Sequence, residues 1–288
     1  MIMLDRDFRL YKSFAKINIF LEVVKKRNDG YHDIESLFGR ISLYDEIYIK
    51  KSNLINIEVI NNVNAKIDME SNLIYKAFLR FKREFAIDSG IEVKIIKNIP
   101  IGAGLGGGSS NCAVALKAFS EMFSIKDYEK LTLIASEIGS DVVFFLKDTT
   151  FALCSGRGEI VEPVSIKGKL PYILIVFPQK YISTKEVYQG LKLNGNPLNI
   201  FHKFKDALIS KKDIDITNYL FNRLEEVSFR LVKDIYELKK EMNILGLYSL
   251  MSGSGSSVFG LSYDKNIVEN AFNVLKKKHH FIYFSKFV

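Results

Sequence analysis

The amino-acid sequence predicts an α+β protein built in two parts, and three observations carry that reading. Strand-type and helix-type runs follow one another in mixed order in both halves of the 288 residues. A strand-type run, Ile91–Ile96, leads through a glycine-rich stretch at residues 100–110 into a helix-type run at residues 111–123. A second mixed set starts near Glu162 and Pro163, which divides the chain into domains 1–160 and 161–288.

Taken in order, residues 11–24 are rich in Ile, Phe and Val and read as a strand, as do residues 34–43, 45–50 and 54–60. Ser71 is placed to cap a helix in which Ile74, Ala77, Phe78, Phe81 and Phe85 recur at helical spacing. Beyond the glycine-rich stretch and its helix, a further helix over 127–138 stops at Gly139, a residue suited to the left-handed position past a helix end. Asp141 then opens the short apolar run Val142–Leu146, where from the residues alone it can serve as a plain helix cap. In the second part, residues 172–177 form a buried-type strand, and Ser183 or Thr184 caps the helix after it. Helical segments follow to Met242, a strand pair brackets Ser252–Ser257, a helix starts near Lys265, and a last strand covers 281–284.

Composition narrows the class. With 48% hydrophobic and 26% charged residues, the chain has the make-up of a soluble globular protein. No apolar run approaches the roughly 18 residues needed to span a bilayer, and residues 1–9 are charged where a secretory signal is greasy. A cytoplasmic location is therefore expected. Cys112 and Cys154 make no metal or redox motif and suit a reducing compartment. The net charge of +8 fits anionic small molecules or nucleic acid. The basic residues are scattered, apart from Lys276–Lys278 followed by His279 and His280, which end an amphipathic helix pattern. Neither a nucleic-acid nor a membrane partner is expected.

The stretch Pro100, Ile101, Gly102, Ala103, Gly104, Leu105, Gly106, Gly107, Gly108, Ser109, Ser110 says most about chemistry. Five glycines at positions 102–108 cost backbone entropy, and a plain strand-to-helix turn needs only one or two. A glycine-rich turn feeding a helix start is an anion cradle, because free amides and the positive end of the helix dipole both favour phosphate. Gly102, Gly104 and Gly107 match the dinucleotide fingerprint, but Glu121, at the distance of its acidic partner, lies inside the helix pattern. A Walker loop is excluded because no Gly-Lys-Ser/Thr closes the stretch. Lys16 stands in an otherwise apolar strand, where an ammonium is costly unless it is paired, aimed at a ligand, or reaches water. Asn18 shares its strand face by the two-residue period.

The spacing of Pro100, Gly104, Leu105, Gly106, Gly108, Ser109 and Ser110 resembles the nucleotide loop of the GHMP kinases, the superfamily of galactokinase, homoserine kinase, mevalonate kinase and phosphomevalonate kinase. Residues 13–23, 29–32, 139–146 and 251–259 stand in that family's order and spacing, so the likeness covers essentially the full chain. Ala15–Asn18 and Asp29–His32 are most similar to the CDP-methylerythritol kinase branch. The resemblance implies an N-terminal domain like ribosomal protein S5 domain 2, a ferredoxin-like C-terminal domain, and transfer of the ATP γ-phosphoryl group to a hydroxyl in isoprenoid precursor synthesis. It implies Lys16 and Asp141 as catalytic residues, with Asp141 taking the hydroxyl proton and Lys16 keeping it ionised and favouring the forming alkoxide.

The same resemblance implies that residues 100–110 bind ATP, with Mg²⁺ neutralising its charge and no protein carboxylate ligand evident from spacing. Ser109 and Ser110 would touch phosphate or Mg²⁺, or cap the helix. Asn18, Tyr31, His32, Lys97, Thr184 and Tyr188 would contact the substrate: His32 at the cytosine edge, Lys97 at the diphosphate, Thr184 and Tyr188 closing over the nucleotide. An exposed strand-end role for Lys97, and a cap-plus-core role for Thr184 and Tyr188, stay open. The implied partner is the small molecule CDP-methylerythritol, bound by a monomer or weak homodimer. Other acceptors in the superfamily, homoserine or a mevalonate derivative, and a catalytically silent binding protein, are the alternatives. One departure stands out: Val143 occupies a position where the family usually has proline.

Overall fold

The computed structural model describes residues 7–61, 68–193, 197–210 and 212–288. It divides into two compact units interleaved along the chain: one holds the chain to Ala15 with residues 43–99 and 107–148, the other residues 16–42, 100–106 and 149–288. The sequence-based boundary near residue 160 falls within the second unit.

The first unit takes the start of β1 (Arg9–Lys26), the end of β2 (His32–Ser52), β3 (Asn56–Asn61), β4 (Gly90–Lys97) and the helices α1 (Leu73–Phe85), α2 (Gly107–Met122), α3 (Tyr128–Ile138) and α4 (Ser140–Leu146). Residues 46–52 of β2 pair antiparallel with β4, and β3 runs parallel to β4. Along β2, Leu43, Asp45, Ile47 and Ile49 are all buried, as a period of two requires. The two strands expected at 34–43 and 45–50 are thus one, because the alternation runs through Tyr44 unbroken. Helix α1 buries Ile74, Ala77, Phe78 and Phe81, and Phe78 and Phe81 meet Phe119 of α2 with ring centroids 4.9 and 5.6 Å apart. Its cap is Asn72, whose side chain accepts from the Ile74 amide at 2.9 Å; Ser71 instead ends a short 3₁₀ turn. Helix α2 begins at Gly107, four residues before the expected start at Asn111. Gly139 follows α3 with an extended backbone (φ 179°), so the left-handed cap expected there is not used.

The second unit contains a four-stranded sheet in the order β11 (Phe281–Ser285), β7 (Tyr172–Phe177), β10 (Val258–Ser262), β9 (Tyr248–Met251). Leu174, Val176 and Val258 of this sheet share a core with Ile235, Leu238 and Met242 of the helix Lys233–Ile244 and with Val268 and Leu275 of the helix Lys265–Leu275. Residues 36–39 of β2 pair with β5 (Phe151–Ser155), and β5 pairs with β6 (Ile160–Val164). Sequence reading missed β5 and β6 because Pro163 looked like a linker; in the fold it sits on an edge strand, where a missing N–H costs no ladder bond. Phe20 and Leu21 of β1 run parallel to β8 (Phe221–Asn222). There Glu22 is 1% exposed and takes two bonds from Arg223, at 2.8 and 2.9 Å, with further bonds from the Val23 and Leu198 amides. No helix among the described residues is long and apolar enough to cross a membrane.

Candidate active site

The glycine-rich loop turns through left-handed backbone at Gly102, Gly104 and Gly106 (φ 67°, 76° and 70°), conformations that side chains strongly disfavour. It runs into α2 at Gly107, and the first four amides of any helix have no partner within it. Within the second unit a second turn grips the loop. The Ser252 hydroxyl donates to the Gly104 carbonyl at 2.9 Å, and the Ser257 amide to the Ala103 carbonyl at 3.1 Å. A Cβ on Gly104 would lie 2.0 Å from the Ser252 carbonyl oxygen. The Ser252–Ser257 turn thus braces the loop by direct contact. From β1, the Lys16 amide donates to the Leu105 carbonyl at 3.0 Å.

Lys16 is 4% exposed, so the solvent-facing alternative for its side chain falls away. Its Nζ donates to the Asn18 Oδ1 at 2.7 Å and lies 4.6 Å from the centre of the Phe38 ring. Asn18, fully buried, donates through Nδ2 to the Ser36 hydroxyl at 2.9 Å, and Ser36 donates to the Phe20 carbonyl. The oxygen of Asn18 is thereby fixed toward the ammonium. Ser36 was not anticipated. Its signal is a small polar residue at an inward position of a strand, and that resembles ordinary packing until Asn18 is seen beside it.

A second cluster gathers around the turn before β2. His32 and Tyr188 of α5 (Thr184–Gln189) have ring centres 5.2 Å apart at a 34° tilt. The guanidinium of Arg157 stands 5.0 Å from the centre of the Tyr31 ring. The Ile34 amide donates to the Gly156 carbonyl at 2.7 Å and so holds the Arg157 turn against β2. Tyr31 itself is 57% exposed. Thr184 shares a hydrogen bond with Ser254 at 2.8 Å, while Ser183 makes the α5 cap by accepting from the Glu186 amide at 3.3 Å. Burial, and then the charge of Lys26, hold the His32 imidazole below its usual value, so the ring is neutral at pH 7. Since the native value is depressed, His32 contributes stability above the unfolded imidazole range and loses it as pH falls toward the native value.

Asp141 lies in the first turn of α4 and is partly exposed, where the helix dipole favours a carboxylate. Val143 is 3% exposed and packs into the core. Asp141 belongs to the first unit and Lys16 to the second. Lys97 is paired with Asp45 and donates to the Asn111 Oδ1 at 3.2 Å, leaving 7% of its side chain exposed. Of the two loop serines, Ser110 is buried and accepts from the Ser13 hydroxyl at 2.7 Å, while Ser109 is partly exposed. Among the described residues no group of three or more His, Cys, Asp or Glu side chains is placed to hold a metal ion.

Comparison with known proteins follows the same lines. Residues 72–149 match the family described as GHMP kinases N terminal domain, and residues 204–280 match GHMP kinases C terminal. The chain is 38% identical to the 4-diphosphocytidyl-2-C-methyl-D-erythritol kinase of Clostridium beijerinckii, over 96% of this chain and 98% of that one. It is also 38% identical to the protein of that name from Thermodesulfovibrio yellowstonii, over 90% and 92% of the two chains. A crystal structure of 4-(cytidine 5'-diphospho)-2C-methyl-D-erythritol kinase superposes with a TM-score of 0.78 at 29% identity, covering 97% of this chain and 99% of that one. Homoserine kinase from Cytophaga hutchinsonii shares the fold, with a TM-score of 0.70 at 19% identity over 100% and 99% of the two chains.

Proposed function

The chain belongs to the GHMP kinases, and from that premise we propose that it transfers the γ-phosphoryl group of ATP to the tertiary 2-hydroxyl of CDP-methylerythritol, a step in isoprenoid precursor synthesis. The observation that carries the choice of acceptor is the cluster of Tyr31, His32, Arg157 and Tyr188, which offers an exposed ring and a neutral imidazole to a planar base. Neither homoserine nor mevalonate contains a base to use it.

In this reading the amides of the glycine-rich loop and the start of α2 hold the outer phosphates. Three left-handed glycines and the helix start at Gly107 fit a triphosphate on steric and electrostatic grounds. Mg²⁺ arrives on the triphosphate as part of that substrate and supplies neutralising charge. Asp141 accepts the proton as the hydroxyl oxygen bonds to the γ-phosphorus, and the bond from that phosphorus to the bridging oxygen breaks with its electron pair leaving on ADP. Lys16, its donors oriented by Asn18, favours negative charge on the attacking oxygen. His32 reads the cytosine edge, Tyr31 stacks on its face, and Thr184 and Tyr188 close over the nucleotide.

A kinase assay tests the acceptor: turnover is expected with CDP-methylerythritol, and comparable turnover with homoserine or mevalonate overturns the choice. His32→Ala is expected to raise KM for CDP-methylerythritol about tenfold or more, the loss of one buried recognition bond, and to leave KM for ATP near its original value. An equal rise in both counts against the assignment. KM for CDP-methylerythritol in the unmodified protein should be flat above the ordinary imidazole range and rise only at lower pH, as the ring gains its proton.

The phosphate reading has its own test. Gly108 is helical, and a Cβ there would meet only Leu73 Cδ1, at 3.8 Å. Gly108→Ala should therefore raise thermal stability by up to about 1 kcal/mol through helix propensity. If a phosphate must approach that backbone, the same change weakens ATP binding. A variant more stable and equally tight for ATP would show that Gly108 does not border the phosphates.

A further inference from the structure

The fold uses one buried carboxylate to hold both ends of the glycine-rich loop. Asp45 is fully buried in β2. Its Oδ1 accepts from the amides of Asn98 and Ile99, at 2.7 and 2.8 Å, the two residues just before Pro100. Its Oδ2 accepts from the Nδ2 of Asn111 at 2.9 Å and takes the ammonium of Lys97. Asn111 lies in the opening turns of α2, and its Nδ2 also donates to the Ser13 hydroxyl at 2.9 Å; Ser13 in turn donates to Ser110. The points where the chain enters and leaves the loop thus supply four donors to a single side chain.

Two features argue that this is more than ordinary packing. The first is steric closeness of the flanks. A Cβ on Gly107 would lie 2.9 Å from Ile99 Cγ2 and 3.1 Å from Lys97 Nζ, so the incoming strand and the outgoing helix touch without room for a methyl group. The second is charge. A bare carboxylate near a helix start would repel phosphate and cancel the helix dipole. Lys97 cancels it, so the site keeps the geometry of an anion acceptor without its field.

We propose that Asp45 is a positioning residue for ATP: it sets the spacing of the loop flanks, and Lys97 is its fixed counter-charge. The inference rests on the reading of this loop as the phosphate site. It gives Lys97 a bracing role, where sequence likeness pointed to the substrate diphosphate.

Two charge-neutral pair variants test it. Asp45→Ala with Lys97→Met removes every acceptor and leaves no orphan charge. Asp45→Asn with Lys97→Met keeps an oxygen for the two amides and likewise leaves no orphan charge. Both carry Lys97→Met, so any contact of Lys97 with the substrate cancels between them. Dissociation constants are measured by calorimetry for the Mg²⁺ complex of a non-hydrolysable β,γ-imido ATP and, separately, for CDP-methylerythritol.

The alanine pair should bind the ATP analogue about 10- to 100-fold more weakly than the asparagine pair, the scale on which a displacement of about 1 Å acts. The two should bind CDP-methylerythritol equally. Equal analogue binding, or losses in the same proportion for both ligands, overturns the proposal, the latter because a purely structural role lowers both together. If the alanine pair does not fold, Asp45→Asn alone is compared with the unmodified protein, both of which keep Lys97; its amide nitrogen faces the Lys97 ammonium, and the same selective loss is expected. If the unmodified protein does not bind the ATP analogue, the phosphate-site reading is what fails.

Discussion

Replacing Asp141 by Asn is expected to lower kcat about 10²- to 10⁴-fold, the range a positioned general base supplies, while nucleotide affinity stays close to its original value. Asparagine keeps the shape and the place in the first turn of α4, so the helix and the apolar run behind it, Val142–Leu146, should be undisturbed. What is lost is the ability to accept the hydroxyl proton and the negative charge. Steady-state turnover with CDP-methylerythritol, together with calorimetric titration of the ATP analogue, separates the two effects. Near-normal turnover would remove Asp141 from the chemistry. A parallel loss of nucleotide affinity would move its role from proton transfer to binding.

Gly104→Ala is expected to be nearly as damaging, by a different route. The added methyl would fall 2.0 Å from a backbone oxygen of Ser252, and no rotamer change can relieve a clash with main chain. The φ of 76° adds strain of about 1–2 kcal/mol for any residue with a Cβ. The turn that grips the loop must move, carrying with it the Ser252 and Ser257 bonds to residues 103 and 104. A loss of about 100-fold or more in kcat/KM should follow, with ATP binding weakened. Gly30→Ala supplies the comparison for stability. Gly30 has φ 84° but nothing within 4 Å of the added atom, so thermal unfolding should show the strain without the clash. If both changes shift the unfolding midpoint equally, steric contact with Ser252 is not what fixes the loop.

The sequence was most informative where one residue type has one physical use. Five glycines at 102–108 announced a tight turn open to an anion, and three of them, Gly102, Gly104 and Gly106, adopt positive φ. An ammonium inside an apolar strand announced a burial problem, and Lys16 solves it with Asn18, its neighbour two residues on. The α+β order and the strands β7, β9, β10 and β11 were legible from the succession of strand-type and helix-type runs. Misreadings occurred where two uses look alike. Ser71 and Asn72 are both good caps, and only backbone geometry chooses Asn72. Pro163 reads as a break whether it ends a domain or sits on an edge strand.

Asp45 is the instructive omission. Ile41, Leu43, Asp45, Ile47 and Ile49 share a face by strict alternation, and each is buried. A carboxylate at an inward position has to be neutralised, so its presence in the row signals an internal partner. Naming Lys97, Asn98, Ile99 and Asn111 as those partners needed the pairing of β2 with β4, a contact across some 50 positions of chain that local periodicity does not carry.

The two cysteines have a practical consequence. Cys112 lies in α2 of the first unit and Cys154 in β5 of the second, and both are fully buried; burial also raises the Cys112 thiol well above its ordinary value. Alkylating reagents can reach each sulfur only when its surroundings open. The chain therefore carries one built-in reporter per unit. The labelling rates of the two thiols under native conditions, compared by peptide mass, would reveal whether the halves breathe independently or melt as one cooperative body.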